Sequence, residues 1–148
     1  MDQPYPYTRQ YAYRYIFVSH GKERIEKIVM FSSTPIANLY NVGFGDLNEY
    51  GTIDDHIRSN NGDLIKVLST TIHILKKFLY EHPKAKVAFV GSTSIRTALY
   101  ARILRTYYDT FNKEFIISAL IQENGLYKEV LFNPLSQDNY LFFYIKLI

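Results

Sequence analysis

Seven residues have the side chains and the placement from which a functional site could be assembled: Asp46, Asn61, Asp63, Ser92, Thr93, Ser94 and Arg96. They lie in or beside three polar stretches: Gly45-Asp46, Asn60-Asn61-Gly62-Asp63 and Gly91-Ser92-Thr93-Ser94. Asn, Asp, Ser and Thr open helices because their side chains accept hydrogen bonds from first-turn N–H groups. Those same N–H groups and the positive dipole end attract phosphate or carboxylate, so two helix starts brought together would suit an anionic guest. Capping alone also explains these residue types, and both readings stay open.

Arg96 falls in the first turn of an expected helix, on the face that carries Leu99, Tyr100, Ile103 and Tyr107, so it is expected to point inward. The helix dipole disfavours a cation at that place, and a desolvated guanidinium needs an acid or an anionic ligand beside it. Asp46, Asp54, Asp55 and Asp63 are the available acids. The expectation is that Arg96 organises the edge, either through an ion pair with Asp46 or Asp63 or by clamping a ligand.

The elements that must position these residues follow from hydrophobic periodicity. Residues 1–8, with Pro4 and Pro6 between tyrosines, read as an extended arm. From Tyr11, alternation of Tyr11, Tyr13, Tyr15 and Phe17 predicts a strand, turned at His20-Gly21-Lys22-Glu23 into a second over Arg24 to Phe31. A third strand is expected from Ile36 to Phe44, followed by a polar loop to Gly62. Apolar residues at helical spacing predict a helix from Asp63 to Tyr80, ended by His82-Pro83. A short buried strand at Lys86 to Val90 leads through Gly91-Ser92-Thr93-Ser94 into a second helix reaching Phe111. Strands are expected at Glu114 to Ile121, Tyr127 to Phe132 and Tyr140 to Leu147, the first two joined by Asn124-Gly125, a strong hairpin signal. The order β-β-β-α-β-α-β-β-β predicts an α+β fold: a mixed, mainly antiparallel sheet with two helices on one face. Strand ends that feed helix starts are where such sheets tend to bind ligands, so the three polar stretches are expected to converge.

Composition narrows the function classes. The 148 residues are expected to form a single domain, 47% apolar and without a membrane-length apolar run, which predicts a soluble chain. Absence of Cys excludes disulfides and thiolate chemistry and, with an N-terminus unlike a secretory signal, points to the cytoplasm. The +3 charge comes from 17 basic and 14 acidic residues that interleave, so nucleic-acid binding is not strongly indicated. The 24 Tyr and Phe residues could stack on bases, but they also suit half-buried strands. VAFVGSTSIRT lacks the spacing and the lysine of a phosphate-binding P-loop, and EFIISALI lacks the carboxylate pair of a nucleotidyltransferase. His20, His56, His73 and His82 share no metal-ligand spacing, and no cofactor is specified.

Several segments resemble a family of uncharacterised bacterial proteins, mainly from Bacteroidetes, of about this length and regarded as a domain of unknown function. The likeness runs through YPYTRQYAYRYIFVSHGKERIEKIVMF, YNVGFGDLNEYGTIDD, NNGDLIKVLSTTI and FVGSTSIRTALYARIL. It matches the family pattern at Gly45-Asp46, Asn61-Gly62-Asp63, Gly91-Ser92-Thr93, Arg96-Thr97 and Leu99-Tyr100, whereas Ala98 stands where a second Arg often follows. No activity is implied by the resemblance.

The expected function is a small intracellular binding module whose polar edge holds an anionic ligand or a protein partner, within a two-gene unit such as a toxin–antitoxin pair or a defence system. The alternative is an enzyme acting on nucleotides or RNA, with Arg96 stabilising phosphate and an Asp as base or metal ligand. Homodimerisation is a further expectation, because YLFFYIKLI is apolar on both faces and would make a poor exposed edge, although such a run also suits a central strand.

Overall fold

The alternating tyrosines near the N-terminus build a hairpin where their pattern suggested one strand. In the computed structural model, which describes residues 3–11, 13–54, 61–89, 94–136 and 139–148, β1 (Tyr7–Tyr11) and β2 (Arg14–His20) are antiparallel neighbours. β3 (Arg24–Ser33) pairs antiparallel with β2 from Arg14↔Met30 to His20↔Arg24, the hairpin expected around Gly21. β4 (Leu39–Leu47) begins later than expected. The reason is a turn in which the Thr34 N–H and hydroxyl both donate to the Leu39 carbonyl, at 3.2 and 2.8 Å, while Asn38 takes a left-handed φ of 62°. The polar stretch after Gly45 is not all loop. Asn48 folds it back, donating its N–H to the Thr52 carbonyl at 2.9 Å, so that β5 (Ile53–Asp54) pairs with Leu47 and Asp46.

Most of these strands belong, with α1 (Leu64–Glu81), to one compact unit, Met1–Ser32 with Val42–His82. Its strand order is β1-β2-β3-β4, with β5 on β4. Side chains alternate across a strand, so Tyr15, Phe17 and Ser19 share a face with their cross-strand partners Val29, Lys27 and Ile25. α1 covers that face: Phe78 stacks on Phe31 at 4.0 Å, and Tyr13 meets Phe78 edge-on at 5.8 Å. Ile53 lies over Gly43 and Gly45, where a Cβ would come within 2.7 Å of its carbon atoms, so a side chain at either position would have to displace Ile53.

The other unit is Ser33–Asn41 with Pro83–Ile148. It holds β6 (Lys86–Phe89), α2 (Ser94–Thr106), α3 (Tyr108–Phe111), β7 (Phe115–Glu123), β8 (Leu126–Leu131) and β9 (Phe142–Leu147). The order β6-β9-β7-β8 makes β9 a central strand, antiparallel to both neighbours, which is why YLFFYIKLI can be apolar on both faces. Asn124 and Gly125 take φ values of 52° and 78°, the two left-handed positions a two-residue hairpin turn requires. The second expected helix is interrupted at Tyr107, with α3 as a separate turn. Val87, Ala119 and Phe143 form the fully buried centre, and Tyr100 meets Phe89 edge-on at 6.1 Å, placing α2 on a face of its own unit's strands. The class is therefore the expected one: α+β, with mixed, mainly antiparallel strands and two long helices. Among the described residues the additions are β1, β5 and α3.

Candidate ligand site at the start of the long helix

α1 is an 18-residue helix held down by Val67, Ile74, Leu75, Phe78 and Leu79. Thr70 and Thr71 are buried beside them, with hydroxyls that donate to the carbonyls of Lys66 and Val67, four residues back, at 2.8 and 2.9 Å. Asp63 occupies the N-cap position but makes no side-chain cap. Its Oδ2 instead accepts two hydroxyls, Tyr5 Oη at 2.6 Å and Ser19 Oγ at 2.5 Å. Ser19 Oγ accepts from Asn61 Nδ2 at 2.9 Å, and Tyr5 Oη accepts from the His20 N–H at 3.0 Å.

Asn61 ties this network to the β2–β3 turn. Its Nδ2 donates to the Glu23 carbonyl at 2.7 Å, its Oδ1 accepts the Glu23 N–H at 2.8 Å, and its own carbonyl accepts the Lys22 N–H at 2.9 Å. The approach is so close that a Cβ on Gly21 would sit 1.7 Å from the Asn61 carbonyl oxygen. Gly21 therefore serves this contact as well as the turn. Beneath α1, Lys27 and Asp46 form an ion pair with side chains only 8% and 11% exposed. Tyr5 packs nearly parallel to Phe17 at 6.1 Å, with the Lys66 ammonium 4.6 Å from its ring centre.

Burial alone would raise the Asp63 carboxyl pKa. The hydrogen bonds from Ser19 and Tyr5, its own N–H and the Lys27 ammonium outweigh burial and hold it below the usual aspartate value of 3.8. Burial and the bond to Asp63 push the Tyr5 phenol above its usual 10.0. In the other unit, burial opposes but hydrogen bonds from Lys86 and Ser118 depress the Glu129 carboxyl below 4.5. A depressed carboxyl contributes stability above its unfolded pKa and loses it as pH falls through the folded one; a raised phenol contributes below 10.0 and loses it as pH rises. Melting temperature is thus expected to fall on both the acid and alkaline sides. Asp63→Asn is expected to flatten the acid limb below about pH 4, as followed by circular dichroism from about pH 2 to 6.

Of the residues singled out by sequence, Asn61 and Asp63 meet through Ser19, and Asp46 lies in the same unit, paired with Lys27, whose charge acts on Asp63. Asp54 lies opposite Asp46 on β5, and Asp55 lies outside the described residues. Ser92 and Thr93 also lie outside the described residues, as do the side chains of Ser94 and Arg96 in the first turn of α2. The expected gathering around Arg96 falls there too. Sequence reasoning missed Tyr5, Ser19 and Lys27. A signal existed for two of them, since Ser19 and Lys27 are polar residues at core-facing positions of alternating strands.

The match to known families runs the whole length of the chain. A family model described as a family of unknown function, DUF6934, matches residues 1–148. The chain belongs to this family. No curated protein and no solved structure matches it. Family membership therefore supplies a grouping, and the chemistry rests on the geometry of Asp63 and its neighbours. Among the described residues, no helix is long and apolar enough to cross a membrane.

Proposed function

We propose that the chain is a small binding module whose polar edge at the start of α1 receives an anionic group, carried by a small ligand or by a partner protein. The observation that carries this reading is that buried Ser19 and Asn61 are linked to the Asp63 carboxylate, on which the charge of Lys27, buried and paired with Asp46, also acts. A unit needing only stability would gain as much or more from apolar side chains at such places, because desolvating an ion pair offsets its attraction. The Asp63 side chain does not cap the first-turn N–H groups of α1, while the Tyr5 and Ser19 hydroxyls absorb part of its charge.

The test is thermal denaturation with inorganic phosphate, nucleoside phosphates and citrate, against chloride at matched ionic strength. A bound anion at one hundred times its Kd adds about 2.7 kcal/mol, or about 5–10 °C for a chain of this size. A saturable rise that Asn61→Ala abolishes is expected. A flat response across the panel contradicts the proposal.

A further inference from the structure

The β1–β2 hairpin is joined by residues poorly suited to it. Tyr11 pairs with Arg14, so only Ala12 and Tyr13 lie between the strands. Two-residue hairpin turns need left-handed or glycine conformations and favour Gly, Asn or Asp, as Asn124-Gly125 supplies elsewhere in this chain. Ala12 and Tyr13 are neither Gly, Asn nor Asp, and the odd-numbered residues from Tyr7 to Phe17 keep a strand pattern straight through the sequence. Local preference and the closed hairpin conflict.

The register carries the same conflict. Tyr7↔Phe17, Thr8↔Ile16 and Arg9↔Tyr15 form a regular antiparallel ladder, which then slips to Tyr11↔Arg14. Continued without the slip, the ladder would read Gln10↔Arg14, Tyr11↔Tyr13 and Ala12↔Ala12. One chain cannot make that last pair; two antiparallel copies can, centred on Ala12. Every such pair joins residues of equal parity, so each side chain keeps its face, as a two-fold axis perpendicular to the strands requires.

We infer that two copies of this chain exchange their N-terminal arms, with Tyr7–His20 opened into one continuous strand and the partner's Tyr5 completing the Asp63 site of each copy. The arm's side-chain contacts with α1 would be remade between copies. These are Tyr5 N–H to Thr70 Oγ1 at 2.8 Å, Tyr5 Oη to Asp63 at 2.6 Å, Tyr7 Oη with His73 Nδ1 at 3.2 Å and Arg9 with Glu81 at 2.9 Å. Exchange therefore conserves them while removing the unsuited turn and adding cross-strand pairs around Ala12. Tyr11, 73% exposed in the closed hairpin, would gain Tyr13 of the partner subunit as its neighbour. The inference concerns assembly and does not depend on what the polar edge binds.

The test uses the full chain refolded from urea at rising protein concentration, with mass read by light scattering on a sizing column. The expected result is a species of twice the single-chain mass whose share grows with concentration. Ala12→Gly supplies the residue that a two-residue turn favours at its first position and is expected to shift the protein to single chains. Deleting Ala12 and Tyr13 keeps the side-chain alternation but removes the residues needed to close the hairpin, and is expected to give only the doubled species. A wild-type chain that stays single at every concentration overturns the inference. So does a doubled species whose share Ala12→Gly leaves unchanged, or a folded deletion variant that is single.

Discussion

Replacing Lys27 with methionine is expected to destabilise the protein by about 3–5 kcal/mol, the usual cost of removing one partner of a buried ion pair. Lys27 and Asp46 are 6% and 8% exposed, so loss of the ammonium removes a charge paired directly with a buried carboxylate. The double variant Lys27→Met with Asp46→Leu is expected to recover most of that loss, because apolar side chains of similar volume need no compensation in that setting. Urea denaturation of the parent, both single variants and the double variant measures the coupling. Additive losses would show that the two groups do not act as a pair.

Phe78→Ala is the second large effect. Phe78 is fully buried, stacked on Phe31 at 4.0 Å with the rings 3° from parallel, and on His82 at 4.5 Å. Tyr13 closes its edge at 5.8 Å. Truncation removes a ring that three neighbours are shaped around and leaves a cavity that stacked aromatics fill poorly, so a loss of about 3–5 kcal/mol is expected. The change should appear as a lower urea midpoint with an unchanged slope. A loss under about 1 kcal/mol would mean that α1 does not depend on this contact for its seat on the strands.

What the sequence made legible divides along physical lines. Strong local signals carried through: Asn124-Gly125 formed its left-handed turn, the apolar stripe of α1 formed its helix, and YLFFYIKLI became a central strand. The β1–β2 hairpin was illegible because no turn residue marks Ala12 and Tyr13, so alternation pointed to a continuous strand. The break before α3 has no Gly or Pro to announce it. β5 is only two residues long, set by the Asn48 turn and by Ile53 packing over two glycines, which are contacts between segments and leave no periodicity.

The site was legible in part for the same reason. Asn61 and Asp63 stood out as helix starters, yet Asp63 does not cap α1, and Asn61 bridges to the β2–β3 turn. Capping preference identified the residues but misjudged their use. Tyr5 could not be placed, because its partners Asp63 and Thr70 lie 58 and 65 positions away and nothing local specifies an arm lying along a helix.

The Asp63 carboxylate acts as a receptor for hydroxyls from the arm and from β2. A double-mutant cycle with Tyr5→Phe and Asp63→Asn, read by urea denaturation, tests it most directly. A hydrogen bond to a charged group predicts a coupling energy of about 1.5–3 kcal/mol. Tyr5→Phe and Asp63→Asn effects that simply add would contradict it.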